Sequence, residues 1–166
     1  GRSFQAARLF RDMTVTENLM VAGIGTGRRG RAVADAAADV LEWMGLSHVA
    51  RRRCDALSYG DERRVSIARA LALAPKFILL DEPASGMNES ECEALMHTIA
   101  GIPGRFGCGV LLIEHNMKVI MGVCQRIHVL DGGRSLAEGT PEEVQNDPDV
   151  RRAYLGSKAN RKALAI

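Results

Sequence analysis

No G-x-x-x-x-G-K-[S/T] run, the glycine-rich turn and lysine that cradle nucleotide phosphates, occurs anywhere in the 166 residues. Aromatic residues make up only 4%, and no basic stripe interleaves with them, which excludes a stacking platform for nucleic acid. Cys54, Cys92, Cys108 and Cys124 are far apart, with no C-x-x-C and no His at ligand spacing. That spacing excludes a zinc knuckle or a disulfide framework and fits reduced cytosolic thiols. No apolar run approaches the ~20 residues that span a bilayer, and no signal peptide is present. Charge of one sign is missing too: 22 basic against 20 acidic residues leave a net +2, which selects no partner. Arg51-Arg52-Arg53 and the Arg28 to Arg31 region are short basic runs that read as solvated loops. The chain begins at Gly1 rather than Met and is expected to be a piece of a longer protein.

What is present is an alternation of helical and strand signals. Thr14-Val15-Thr16-Glu17 before an apolar run predicts a capped helix over about 16–23, and a Gly/Arg loop leads to a second helix over about 31–45 that stops at Gly45. Leu57 to Gly60 is a turn, after which Asp61 and Glu62 open a helix to about Ala74, stopped by Pro75. Phe77–Leu80 and Val110–Ile113 are continuous apolar strands of the kind buried in a parallel sheet. A helix over 90–100 lies between them. A short helix over 117–124, a strand over 126–130, a hairpin turn at Asp131-Gly132-Gly133-Arg134, a strand over 134–138 and two short helices complete the chain. This order predicts the α/β class with a mostly parallel sheet and a helical region over about 11–56; residues 157–166 form a basic tail.

Four places can carry chemistry. Asp81 and Glu82 end a hydrophobic strand, where open α/β sheets bind ligands. A carboxylate there can hold Mg²⁺ and its neighbour can deprotonate a water; alternatively the pair caps the next turn. Ser58 and Gly60 open a helix, whose free N–H groups and dipole attract an anion; alternatively they are only an N-cap and a turn. His115, after Glu114, ends the second strand and can bond a phosphate oxygen, or is simply a polar end residue. His48, His97 and His128 lack such a setting. Gln5 can offer its amide oxygen to a metal or water, or is an ordinary loop residue.

Taken in order, these motifs closely resemble the nucleotide-binding subunit of an ABC transporter from about Arg2 to Gly156. Phe4-Gln5 resembles the Q-loop, Leu57-Ser58-Tyr59-Gly60-Asp61 the signature usually written LSGGQ, Phe77 to Glu82 the Walker B strand, Ser85-Gly86-Met87-Asn88 the D-loop and His115 the switch histidine. Tyr59, Gly86-Met87-Asn88, Ile113 to Met117, Ala137 to Pro141, and Asn146-Asp147-Pro148 with Ala153 to Gly156 look like the ATPases of branched-chain amino-acid importers. The sequence departs from the family pattern at Asp61, which replaces the usual Gln, and at Asn88, which replaces the usual Asp.

The resemblance implies a partial ABC ATPase (P-loop NTPase-like) domain over 1–156 and a head-to-tail dimer of ATPase subunits beneath membrane permeases, peripheral on the cytoplasmic face of the inner membrane. A solute-binding protein would act indirectly. It implies ATP and Mg²⁺ as ligands. It makes Glu82 the general base and His115 a contact to the γ-phosphate. Ser58 and Gly60 would touch the phosphate bound on the partner subunit, with Asn88 at the same interface. Asp81 supports Mg²⁺ through water, and Gln5 links metal and water to the permease-facing region 11–56. The phosphate loop and its lysine would precede Gln5, so the polypeptide is expected to be inactive alone. The rival expectation is a non-hydrolysing module that docks to permeases or to a complete ATPase and supplies the signature in trans. A soluble ABC ATPase of DNA repair or translation is disfavoured, because no coiled-coil insertion and no second cassette is visible. Uncovered sheet strands predict self-association.

Overall fold

A computed structural model of the chain describes residues 9–25, 27 and 29–155. They fall into two compact units, divided between Ile113 and Glu114. Gln5, the rest of residues 1–8 and the tail 156–166 lie outside the described residues.

The first unit opens with helices α1 (Val15–Gly25) and α2 (Arg31–Trp43) and, after two short 3₁₀ turns, α3 (Tyr59–Leu71). Strand β1 (Phe77–Asp81), helix α4 (Glu89–Phe106) and strand β2 (Gly109–Ile113) follow. Thr14 caps α1 reciprocally with Glu17: the Thr14 Oγ1 accepts from the Glu17 amide at 3.2 Å and the Glu17 Oε2 accepts from the Thr14 amide at 2.7 Å. The Thr14 amide and, at 2.8 Å, the Thr14 hydroxyl both donate to the Glu17 carboxylate and hold its pKa below the ordinary value. Val33, Ala37, Val40 and Leu41 form the buried stripe of α2, and α1 packs against both α2 and α3.

Asn18 is the polar clamp of this helical region and is 0% exposed. It accepts from the Phe10 amide at 2.9 Å and donates to the Phe10 and Thr14 carbonyls, each at 3.0 Å, and to the Cys54 Sγ at 3.2 Å. One side chain thereby satisfies the segment before α1 and ties it to Cys54, whose thiol burial pushes upward. Asn18→Ala strands several buried groups at once, so it is expected to cost about 2–4 kcal/mol in urea unfolding followed by circular dichroism. A change below about 0.5 kcal/mol would show that the clamp is dispensable.

Strands β1 and β2 pair in parallel, Leu79 opposite Leu111 and Asp81 opposite Ile113. One face buries Ile78 and Leu80 completely. The other exposes Phe77, Leu79, Leu111 and Ile113, and the Phe77 ring lies so close to Gly109 that a Cβ there would meet it at 2.5 Å.

Helix α4 runs to Phe106, beyond the stop expected at residue 100. Gly101 and Pro103 suggest a break in sequence, yet each has a local reason. A Cβ at Gly101 would lie 2.9 Å from the Trp43 ring, so glycine lets the indole sit against the helix. Trp43 meets Phe106 edge to face at 5.0 Å, an ion pair joins Arg105 to Asp39, and Ile99 and Ile102 are buried. This packing outweighs the one backbone bond that proline removes. The stop is Gly107, left-handed at φ 59°, whose amide donates to the Pro103 carbonyl at 2.9 Å.

The second unit contains α5 (Met117–Val123), the antiparallel hairpin β3 (Ile127–Asp131) and β4 (Arg134–Gly139), α6 (Pro141–Asn146) and α7 (Pro148–Leu155). Its core gathers Ile127, Val129, Val144 and Val150, with Ile120, Leu136 and Tyr154 packed against them. Gly132 and Gly133, at φ 52° and 78°, make the turn between the strands. The α/β class expected from sequence is observed. The parallel pairing lies in β1–β2, whereas β3 pairs with its hairpin neighbour β4.

Candidate functional site

The turn before α3 begins with Ser58 as N-cap. Its Oγ accepts from the Asp61 amide at 3.1 Å and donates to the Asp61 Oδ2 at 2.9 Å. The cap that the sequence left as an alternative is therefore present. The Glu62 amide makes the first intrahelical bond, to the Ser58 carbonyl at 2.9 Å. The amides of Tyr59 and Gly60 precede it and point out along the helix axis, where the dipole is positive. Ser58 and Tyr59 are exposed and Gly60 is partly exposed, so this turn presents two N–H groups and a hydroxyl on an open surface. Asp61, the departure from the signature pattern, engages that hydroxyl.

Asp81 ends β1 and Glu82 follows it; both are half-buried. Glu82 has φ 44°, left-handed for a residue that is not glycine, a conformation costing roughly 1–3 kcal/mol and concentrated at functional sites. Its backbone is pinned on both sides, the amide donating to the Ile113 carbonyl at 2.8 Å and the carbonyl accepting from the Ser85 amide at 3.2 Å. The chain thus turns sharply where the two carboxylates stand side by side. Among the described residues no group of three or more His, Cys, Asp and Glu converges as a metal cage. A cation here would use one or two carboxylates and complete its shell with water and phosphate. Magnesium tolerates that arrangement, so these residues fit it.

The turn after Glu82 leads to Asn88, the N-cap of α4. Its Oδ1 accepts from the Glu91 amide and the Glu91 Oε2 accepts from the Asn88 amide, both at 2.9 Å. Asn88 thereby performs the capping job an Asp would perform at this place.

His115 belongs to the second unit and is described with it. Its imidazole is exposed, and its Nδ1 lies 3.8 Å from the Glu114 Oε2, on a carboxylate that is only 1% exposed. The same carboxylate oxygen accepts from the His115 and Asn116 amides at 3.0 and 3.2 Å, and Asn116 caps α5 through the Lys118 and Val119 amides. Glu114 thus fixes the backbone that carries the imidazole. His48, His97 and His128 are all exposed, as their sequence setting suggested. Gln5 lies outside the described residues.

The fold brings together two turns that sequence reasoning kept apart. A Cβ on Gly86 would lie 3.2 Å from the Tyr59 ring, and a Cβ on Gly60 would lie 3.1 Å from the Glu91 Oε1. The Ser58–Gly60 turn is therefore seated on the turn at 85–88 and on the first turn of α4. Arg63, missed from sequence, donates to the Tyr59 hydroxyl from beneath. Its one legible trace is the i, i+4 spacing from Tyr59.

A family model described as ABC transporter matches residues 1–85, and one described as branched-chain amino acid ATP-binding cassette transporter matches residues 134–160. The high-affinity branched-chain amino acid transport ATP-binding protein LivG of Escherichia coli (strain K12) is 46% identical over 170 residues, covering 93% of this chain and 67% of its own length. BraF of Pseudomonas aeruginosa, of the same description, is 40% identical over the same shares. Among solved structures, an ATP-binding cassette of an ABC transporter in its ADP conformation superposes with a TM-score of 0.78 at 28% identity, over 94% of this chain and 68% of that one. The chain spans about two thirds of the length of these relatives. On the family match over residues 1–85 and the 46% identity to LivG, the chain belongs to the ABC transporter family.

Proposed function

We propose that this chain is part of an ATP-hydrolysing subunit that energises an ABC importer for branched-chain or related amino acids. The observation that carries the reading is the coincidence of two things. A strained, pinned Glu82 follows Asp81 at a strand end, and both ends of the chain match ATP-binding cassettes, the carboxyl-terminal end the branched-chain type. In this reading Glu82 accepts the proton of the attacking water, and Asp81 and Gln5 hold magnesium, Asp81 through water. His115 bonds the γ-phosphate. Ser58 and Gly60 address the phosphate bound on a second ATPase subunit, with Asn88 at the same interface. Magnesium, when bound, neutralises charge on the phosphate oxygens; the protein's share is position and electrostatics.

Residues 11–56 serve as the helical subdomain facing the permeases. Their surface supports that role: Met13, Val21 and Ile24 are exposed apolar residues on or beside α1. No helix among the described residues is long and apolar enough to cross a membrane. In this reading the subunit sits peripherally on the cytoplasmic face of the inner membrane, beneath permeases that receive solute from a binding protein.

The test is ATP turnover by a version of the chain extended upstream through a phosphate loop and assembled with its permeases in vesicles. Hydrolysis that rises when a leucine-loaded binding protein is added is the expected result. Assembly with permeases but no hydrolysis would favour instead the docking module that supplies its signature turn in trans.

A further inference from the structure

We propose that Arg63 is a positioning residue that, through Tyr59, locks the phosphate-facing turn Ser58–Gly60 to the turn at 82–88, so that the two move as one block. The proposal rests on the reading above for its consequence, but its geometry stands alone.

Arg63 is a cation only 6% exposed, at i+4 from Tyr59 in the first turn of α3. Its Nε and Nη2 donate to the Tyr59 hydroxyl at 3.2 and 2.8 Å, and its guanidinium carbon lies 5.2 Å from the ring centroid. Tyr59 itself is 51% exposed, so burial in the core does not fix its ring; the guanidinium does. The fixed ring rests against Gly86, where a Cβ would meet its Cε1 at 3.2 Å, Cζ at 3.6 Å and Oη at 3.7 Å. Gly86 is also left-handed, at φ 77°, so this contact requires glycine twice over.

A second contact runs beside the first. Glu91 Oε1 stands 3.1 Å from where a Gly60 Cβ would be. The Glu91 side chain cannot swing aside without leaving the Asn88 amide that it accepts from. The turn at 82–88 continues directly from β1, is braced internally by the Ser85 amide on the Glu82 carbonyl and the Met87 amide on the Ala84 carbonyl, each at 3.2 Å, and is anchored to the end of β2 by the Glu82 amide on the Ile113 carbonyl at 2.8 Å. A displacement at Asp81–Glu82 therefore passes to Gly86, to Tyr59 and to the amides of the signature turn. In a head-to-tail dimer those amides face the partner's nucleotide, whereas Asp81 and Glu82 face the subunit's own. The block would report the state of one site to the other.

Amide hydrogen exchange on the chain, with no nucleotide present, tests the coupling in both directions. Gly86→Ala is expected to speed exchange at Asp61 to Arg63 by about tenfold, and Tyr59→Phe, which loses the Arg63 bonds to the hydroxyl, to speed exchange at Ser85, Met87 and Asn88 by a similar factor. Exchange in α2 should not change. A response confined to each variant's own turn would overturn the block. In the upstream-extended protein, Tyr59→Phe and Arg63→Met are expected to lower kcat about tenfold while KM for ATP moves less than about twofold, with partial recovery in Arg63→Lys. Kinetics matching the parent in all three would sink the functional part. Absence of ATP hydrolysis in the parent itself would remove the reading it rests on, while the exchange result would still decide the block.

Discussion

Glu82→Gln, made in the upstream-extended protein, is expected to lower ATP turnover by about 10²–10⁴-fold while leaving ATP binding intact, the range for loss of a positioned general base. The substitution keeps the size of the side chain and replaces the carboxylate by a neutral amide, which removes the negative charge and with it the ability to take a proton. The backbone should tolerate it: Glu82 is already held left-handed between the Ile113 carbonyl and the Ser85 amide, and neither bond involves the side chain. Bound ATP would then outlive the measurement, and a nucleotide-bridged dimer should accumulate in size-exclusion chromatography. Steady-state hydrolysis within about twofold of the parent would remove Glu82 from the proton-accepting role. Strain at this position would then need another explanation.

Ser58→Arg, placed in that Glu82→Gln background, is expected to abolish the ATP-dependent dimer. Two effects have to be separated. Losing the cap on the Asp61 amide costs about 1 kcal/mol of stability in Ser58→Arg and Ser58→Ala alike. The added guanidinium, by contrast, fills the open surface into which the Tyr59 and Gly60 amides point. Ser58→Ala is the control, since it loses the cap but adds no bulk; it should still dimerise, with weaker affinity for ATP. If Ser58→Arg dimerises as the parent does, the turn does not address a partner's phosphate, and Ser58 is a cap and nothing more.

The sequence made most elements legible because their boundaries are chemically marked. Thr14 with Glu17, Ser58 with Asp61, Asn88 with Glu91 and Thr140 with Glu143 are all side-chain caps, and the helices they open, at Val15, Tyr59, Glu89 and Pro141, begin within about two residues of where the sequence reading places them. The error at α4 has the opposite cause. Gly101 and Pro103 are helix breakers in isolation, and only tertiary contacts, the Trp43 ring against Gly101 and Phe106, keep the helix running. Asn18 was invisible for the same reason. A polar residue in an apolar helix looks like a surface position until the fold brings Phe10, Thr14 and Cys54 around it.

The candidate site was legible as separate motifs because each sits at an element end, where residue types are restricted by caps, turns and strand termini. What sequence could not supply was their mutual placement. The seating of Tyr59 on Gly86 joins positions 27 residues apart, and no local rule connects them. The structure also changes the weight of the simple alternatives. Ser58 and Asn88 are genuine N-caps, so any role toward a nucleotide is added to a structural role that each already fills.

The most direct measurement is magnesium-dependent ATP hydrolysis by this 166-residue polypeptide beside the version extended upstream through a phosphate loop. Turnover in the extended protein only, lost when magnesium is chelated, is the predicted result: the carboxylates and the signature turn are in place, and the β- and γ-phosphates lack their cradle of N–H groups and lysine without the extension. Tight binding and turnover by the 166 residues alone would contradict the account, since nucleotide would then be held by groups other than those assigned to it.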